Sequence, residues 1–283
     1  MPELPADLAS QVGAALREDI GAGDVTAALV PAAQQVRGSV ITREDAVLCG
    51  REWSQETFRQ LDPKVRLTWR AADGDQLHAT QVIFEIAGPA RPVLTGERTA
   101  LNFLQLLCAT ATATRRYVDA VAGTGCRILD TRKTVPGLRS AQKYAVRCGG
   151  GESHRMGLYD RVLIKENHII AAGSITGAIE TARRSAPTVT VEVEVETLGE
   201  LDEALNAGPD IVMLDDFSLK DLAAAVKLNR ARGAAAKLEA SGGVSLEAVH
   251  AIAATGVDYI SVGSLTKHVR AVDLSMRLEF SGG

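Results

Sequence analysis

The chain has 283 residues, of which 46% are hydrophobic and 23% charged, and a formal net charge of -4. That is enough apolar material for one large domain or two modest ones, with no apolar run of the roughly 18 residues that a membrane helix requires. An acidic balance excludes a general nucleic-acid binder, which needs an extended basic face.

In the first hundred residues, VRGSVITREDAVLCG, VRLTWRAADGDQL and QVIFEIAGPARPVL alternate with a period of two, and Asp-Gly and Gly-Pro supply turns between them. This pattern predicts an antiparallel sheet, with REWSQETFRQL as a helix laid across it. GERTALNFLQLLCATATATRRYVDAVAG predicts one long helix with Leu101, Leu104 and Cys108 on its core face. Two domains joined near residue 100 are expected. Beyond the long helix one unit repeats. Strand-like runs occur at 127–130 (RILD), 161–165 (RVLIK), 188–196 (TVTVEVEVE), 210–216 (DIVMLDD), 236–240 (AKLEA) and 258–263 (DYISVG). Helical patterns separate most of them: ITGAIETARRSA, LGELDEALNAG, SLKDLAAAVKLNRARG and SLEAVHAIAATG. Gly208 and Gly256 stand where C-caps are expected, and Ser245 with Glu247 gives the last helix a capped, acidic first turn. Alternation sustained over about 140 residues implies a parallel sheet, open or closed into a barrel.

The strand ends carry the chemistry. In order they are Asp130-Thr131-Arg132-Lys133, Lys165-Glu166-Asn167-His168, Glu194-Val195-Glu196, Asp215-Asp216, Ser241-Gly242-Gly243 and Gly263-Ser264. Six polar or glycine-rich ends on one face mark the side of a parallel α/β sheet where loops converge and ligands bind. Between Arg127 and Lys165 nine basic residues meet three acidic ones, a local charge of +6 against -10 for the rest of the chain. A cationic focus on an acidic protein concentrates a small, highly charged anion at one place. In TVTVEVEVE the valines fall on one side and Glu192, Glu194 and Glu196 on the other. Inward glutamates need cations or a metal nearby, because an unpaired buried carboxylate costs several kcal/mol. Glu194 and Asp215, on neighbouring strands, suit Mg2+, which favours a few carboxylates plus phosphate oxygens; Ser218 is the better cap for the following helix, leaving Asp215 available. EASGGVSLE, directly before a helix, and SVGSLTKHV are paired glycine loops of the kind that cradle phosphate in barrels. His154-Arg155, in the glycine-rich CGGGESHRMGLYD, is placed with the ligand groups: a guanidinium fork suits a carboxylate, a lysine a phosphate.

LDTRKTVPGLRSAQKYAVRCGGGESHRMGLYDRVLIKENHI, with ERTALNFLQ upstream and VEVEVE, DIVMLDD, EASGG and SVGSLTKHVRAVDLSMR downstream, resembles the quinolinate phosphoribosyltransferase family from about residue 16 to residue 277. The resemblance implies an α/β fold: an N-terminal α/β sandwich (1–108, joined by the C-terminal segment 271–283) and an open, incomplete α/β barrel (109–270) usually counted with seven strands. It implies transfer of the phosphoribosyl group of 5-phosphoribosyl 1-pyrophosphate to quinolinate with decarboxylation, giving nicotinate mononucleotide, pyrophosphate and CO2. Position by position, Arg132, His154, Arg155 and Lys165 match quinolinate-facing groups, and Lys133, Glu194 and Asp215 match those around ribose, pyrophosphate and Mg2+, the metal held by the two carboxylates through water. Ser241, Gly242, Gly243, Gly263 and Ser264 match the 5-phosphate cradle, with Thr131 and Val262 also counted as substrate contacts. Lys133, Lys165, Glu194 and Asp215 are the implied catalytic set. Arg98 matches an arginine that enters the neighbouring subunit's site, which implies a homodimer with shared sites. The chain departs from the family pattern at Cys108-Ala109, where Ser-Gly is more frequent, at Glu152-Ser153, where Asn commonly precedes the His, and at Asp216, where Asn or Glu is usual. Lys267 stands where relatives have His or Lys.

Three other readings stay open on the sequence: a paralogue resembling the accessory proteins of molybdenum uptake, a Schiff-base aldolase built on Lys165, and a non-catalytic sensor of phosphorylated metabolites. MPELPADLAS carries acids and prolines where a signal peptide needs basic and apolar stretches. The four cysteines, at 49, 108, 126 and 148, show no metal-type spacing. A cytoplasmic enzyme with reduced thiols is expected.

Overall fold

The computed structural model describes residues 2–280. In chain order its elements begin with α1 (Leu8–Ile20), β1 (Gln35–Thr42), β2 (Ala46–Val47), α2 (Arg51–Leu61), β3 (Arg66–Trp69), β4 (Gln76–Leu77), β5 (Val82–Pro89) and α3 (Ala90–Ala120). They continue with β6 (Arg127–Leu129), α4 (Arg139–Cys148), β7 (Val162–Ile164), α5 (Glu166–Ala172), α6 (Ile175–Ser185), β8 (Val191–Val195) and α7 (Leu198–Ala207). The remainder are β9 (Ile211–Asp215), α8 (Leu219–Ala231), β10 (Lys237–Ser241), α9 (Val249–Ala254), β11 (Tyr259–Ser261), α10 (Ser264–Lys267) and β12 (Leu274–Phe280). Among the described residues no helix is long and apolar enough to cross a membrane.

The chain divides into two compact units. The first takes the residues up to Arg115, Thr134–Gly150 and the chain from Ser264 onward; the second takes Arg116–Lys133 and Gly151–Gly263. These bounds differ from the expected 1–108 and 109–270. Helix α4 goes with the first unit because its apolar face, Ala141, Tyr144 and Ala145, is buried in one cluster with Trp53, Phe103 and Leu107. Residues 1 and 281–283 of the expected N-terminal domain and its C-terminal segment lie outside the described residues.

The first unit is built on an antiparallel sheet of order β12-β1-β5-β3. The alternation seen in the sequence is a half-buried sheet: Val36, Val40, Phe84 and Ile86 point into a core completed by Leu101, Leu104 and Leu274. Strand β12 pairs with β1 from Val36↔Phe280 to Thr42↔Leu274, so the chain's last segment closes its first sheet. Gly38 permits this, since a Cβ there would lie 2.3 Å from the Arg277 carbonyl oxygen. Helix α1, for which the sequence analysis offered no element, buries Val12 and Leu16 four residues apart.

The second unit is an open parallel sheet of order β6-β11-β10-β9-β8-β7. All six predicted barrel strands form. Helices α6, α7 and α8 begin at the caps Ser174, Thr197 and Ser218, whose side chains accept from backbone N–H groups three residues on. Ser218 thus caps α8, and Gly208 ends α7 in the left-handed conformation. Beyond β6 the sheet continues as a single parallel bridge, Leu129↔Glu152. The described sheet thus has six strands where the resemblance implied seven.

Candidate active site

The C-terminal ends of the six strands surround a cavity of about 460 Å3 in the second unit. Its lining includes Thr131, Arg132, Lys133, His154, Arg155, Lys165, Glu194, Asp215 and Ser241. Nine of the residues singled out from the sequence therefore meet in one hollow. The parallel ladder explains why: β8 pairs with β9 and β9 with β10, Asp215 standing opposite Ser241, so side chains that end successive strands arrive at one level. A second hollow, of about 390 Å3 in the first unit, is lined by Glu18, Asp19, Asn102 and apolar neighbours with no Lys, Arg or His. It has nothing with which to hold a polyanion.

Four of the nine basic residues between 127 and 165 line the cavity: Arg132, Lys133, Arg155 and Lys165. The others serve elsewhere. Arg127 pairs with Glu152 at the surface, 2.8 Å apart; Arg139 and Arg147 bond to Thr134 and to the Glu3 carbonyl; Lys143 is fully buried; and Arg161 holds Glu192. The +6 of that stretch is a property of the sequence and only partly of the site. Burial and the adjacent Arg132 guanidinium lower Arg155 from its ordinary value, so two guanidiniums crowd each other on one wall. The buried Nε of Arg132 has no hydrogen-bond partner among the described residues. Such a pair is stabilised by a ligand with more than one carboxylate.

Opposite this wall stand the carboxylates. Lys165 Nζ is hydrogen-bonded to Glu194, which is mostly buried, while Lys165 stays half exposed. An amine tied to a carboxylate is poorly placed for Schiff-base formation. The inward glutamates take three different states. Glu192 is fully buried and contacts His154 Nε2 at 3.0 Å and Arg161 Nη1 at 3.2 Å. Burial raises this carboxyl, but the bonds from His154 and Arg161 outweigh it and hold it below the usual range. Glu196, one turn of the pleat further, is exposed. The predicted cations beside inward glutamates are thus present.

Glu239, unmarked in the sequence analysis, also lines the cavity, and its Oε2 lies 3.7 Å from His154 Nε2. Burial and the neighbouring Glu192 charge push its carboxyl well above the usual range. The signal was legible: in KLEAS an acid interrupts an apolar strand at an inward position, as in VEVEV. His154 is held from both sides, its Nδ1 accepting from the Arg155 N–H at 2.7 Å. With Nδ1 an acceptor, the ring proton sits on Nε2 facing Glu192. His154, Glu192 and Glu239 form a buried floor beneath the cations, and their ligand atoms lie within 4.8 Å of one another.

The glycine loops are arranged differently from the expectation. The Ser241-Gly242-Gly243 loop is not directly followed by a helix; α9 starts only at Val249 and is one and a half turns long. The loop's shape comes from backbone conformation instead, with Gly242 at φ 97° and Gly243 at φ 51°, both left-handed. A Cβ on Gly242 would lie 2.0 Å from Asp216 Oδ1. Gly263 lies beneath the Lys133 stem, where a Cβ would meet Cδ at 3.1 Å. Val262 is buried and its N–H donates to the Leu129 carbonyl at 2.9 Å, leaving it no free donor for a ligand. Gly242, Gly243, Gly263 and Ser264 are not among the residues lining the cavity; Ser264 opens α10 and Arg98 is exposed on α3, both in the first unit. The departures at Cys108, Glu152 and Asp216 replace none of the lining groups.

Glu194 and Asp215 bring two carboxylates without a third ligand close by. Among the described residues neither cluster of three metal-type donors includes them, although one, His154, Glu192 and Glu239, lies in the floor of the same cavity. The pair Glu194 and Asp215 fits Mg2+ carried in with phosphate oxygens and does not fit a closed protein cage.

A parallel α/β sheet whose strand ends gather cations, carboxylates and glycine loops defines an enzyme of the barrel class that handles phosphorylated, carboxylated ligands. The chain belongs to the quinolinate phosphoribosyl transferase family: that family's C-terminal domain matches residues 110–277 and its N-terminal domain residues 24–108. It is 43% identical over 268 residues to the carboxylating nicotinate-nucleotide pyrophosphorylase of Mycobacterium leprae (strain TN), covering 93% of this chain and 94% of that one. The solved nicotinate-nucleotide pyrophosphorylase of Francisella tularensis is 45% identical with a TM-score of 0.92, covering 98% of both chains. NadC of Streptococcus pyogenes is 38% identical with a TM-score of 0.94 over the full length of both.

Proposed function

We propose that this chain is a carboxylating nicotinate-nucleotide pyrophosphorylase, a pentosyltransferase that joins quinolinate to 5-phosphoribosyl 1-pyrophosphate and releases pyrophosphate and CO2 in NAD biosynthesis. The observation that carries the reading is the single cavity in which Arg132, Lys133, Arg155 and Lys165 face Glu194 and Asp215. Arg132 and Arg155 grip the two carboxylates of quinolinate and aim its ring nitrogen at the anomeric carbon. Lys133, whose stem lies along Gly263, balances charge on the diphosphate as the anomeric C–O bond breaks and the C–N bond forms. Glu194, anchored by Lys165, faces the sugar as positive charge develops on it. Glu194 and Asp215 would hold magnesium, which would supply charge neutralisation for the departing pyrophosphate. Once ribosylated, the ring nitrogen is a cationic electron sink. The C–C bond to the adjacent carboxylate then breaks, CO2 leaves, and a proton takes its place on the ring. Positioning and charge suffice for both steps, with no covalent nucleophile.

We take the working unit to be a cytoplasmic homodimer; the match of Arg98 to a family arginine that enters the neighbouring subunit's site supports the dimer. Large apolar side chains on the second unit support a covering partner: Leu158, Tyr159 and Ile170 are each about three-quarters exposed. The test is direct. Protein, Mg2+, quinolinate and 5-phosphoribosyl 1-pyrophosphate are mixed and nicotinate mononucleotide is measured. Arg132→Ala and Lys165→Ala are each expected to lower turnover roughly 10²–10³-fold with the fold intact by circular dichroism. No nucleotide product from the wild-type chain, or borohydride trapping of a carbonyl compound on Lys165, would sink the assignment.

A further inference from the structure

Three of the four cysteines, whose spacing suggested nothing, are brought near one another by the fold of the first unit. Cys49 lies in the loop between β2 and α2, Asp73 lies between β3 and β4, Cys108 is on α3 and Cys148 is the last residue of α4. The Sγ atoms of Cys49 and Cys148 and a carboxylate oxygen of Asp73 all lie within 4.8 Å of one another, and all three residues are buried. Cys108 Sγ is against the Cys49 main chain, accepting its N–H and donating to its carbonyl, each at 3.3 Å. Two sulfurs and one carboxylate from three separate segments thus meet at one buried point, with the Cys108 sulfur close by against the Cys49 main chain.

Part of this has a plain structural purpose. Asp73 accepts from the Gly50 and Arg51 N–H groups at 3.3 Å, closing the start of α2, and from the Tyr144 hydroxyl at 2.9 Å. Buried thiols also pack as small apolar groups. Arg51, whose charge reaches Asp73, keeps its guanidinium over the Trp69 ring, 5.1 Å from the centroid. What capping and packing leave over is the convergence itself: two sulfurs and a carboxylate from three separate segments, buried and within 4.8 Å of one another.

We propose that Cys49, Asp73 and Cys148, with Cys108 as fourth donor, form a buried structural zinc site that ties β2–α2, β3–β4, α3 and α4 together. Tetrahedral zinc with Zn–S near 2.3 Å and Zn–O near 2.1 Å needs donors roughly 3.5–3.8 Å apart, a contraction within side-chain reach. Zinc prefers this mixture of thiolate and carboxylate. The bonds from Gly50, Arg51 and Tyr144 would orient the carboxylate, and the Cys49 N–H would remain a donor to the Cys108 thiolate, as outer partners do in metal sites. Uptake releases the thiol protons to solvent, so binding strengthens as pH rises.

The test is metal analysis of the full-length protein, expressed with zinc and freed of loosely held ions. About one zinc per chain is expected, and replacement by cobalt is expected to give the near-ultraviolet thiolate charge-transfer and visible bands of a tetrahedral site. Cys148→Ser is expected to lose both; Cys126→Ser, in the second unit, to keep both. Stripping the metal is expected to lower the melting temperature by several degrees. If Cys148→Ser fails to fold, zinc content and the cobalt spectrum of the wild-type chain decide the matter. Zinc below about a tenth of an equivalent after saturation, with no cobalt bands, would overturn the proposal. So would a Cys49–Cys148 disulfide in the protein as purified under air, since those sulfurs would then be unavailable to a metal.

Discussion

Glu192, Glu194 and Glu196 are chemically identical and two residues apart, yet the fold assigns them three situations. Glu192 is held beneath the cavity by His154 and Arg161, Glu194 faces the cavity bonded to Lys165, and Glu196 meets solvent. Glu239 completes the floor with the opposite perturbation. Its folded-state carboxyl is raised above 4.5 by burial and by Glu192, so the native protein holds a proton there that the unfolded chain releases. Stability from this group is therefore full below pH 4.5 and is lost as pH rises through the raised value. Glu239→Gln removes that linkage. It is expected to match wild type near pH 4.5 and to be the more stable of the two at neutral pH and above, as read by urea denaturation across that range. A variant equally destabilised at every pH would show that Glu239 is needed as a carboxylate for packing.

The elements follow from local rules with few surprises. Periods of two and 3.6, caps at Ser174, Thr197 and Ser218, and a left-handed glycine after α7 yield the strands and helices expected of βα units. The exception is the sheet partner of β1. Strand β12 reaches it from the far end of the chain, and Leu274, with 6% of its surface exposed, contributes about 2 kcal/mol of apolar burial on its own. A chain ending at Asp273 is expected to unfold at lower urea concentration and to aggregate on size-exclusion chromatography, because β1 would become an open edge above an uncovered core. Unchanged unfolding would show that β1 and β5 carry the sheet without β12.

At the scale of the molecule the proposed shared-site dimer makes a distinctive prediction. Arg98 belongs to the first unit and the cavity residues to the second, so a defect in one can be complemented by a defect in the other. Arg98→Ala and Lys165→Ala chains, each nearly inactive, are expected to regain part of the wild-type rate when mixed and allowed to exchange subunits, since a hybrid dimer holds one intact site. Exchange demonstrated by mass spectrometry without recovered turnover would show that each subunit completes its own site.

The sequence by itself determined the type and order of the barrel strands, the face that bears chemistry, and the family. Periodicity, caps and long motifs are local properties of the chain, and a parallel sheet sends every strand's C-terminal end to one side. Tertiary structure decided which charges meet. It divided nine clustered cations into four that line a cavity and five used elsewhere, set His154 between Glu192 and Glu239, and gathered Cys49, Asp73 and Cys148 across 99 positions of sequence. Such meetings depend on how helices and strands pack, and residue spacing along the chain carries no record of distances across it.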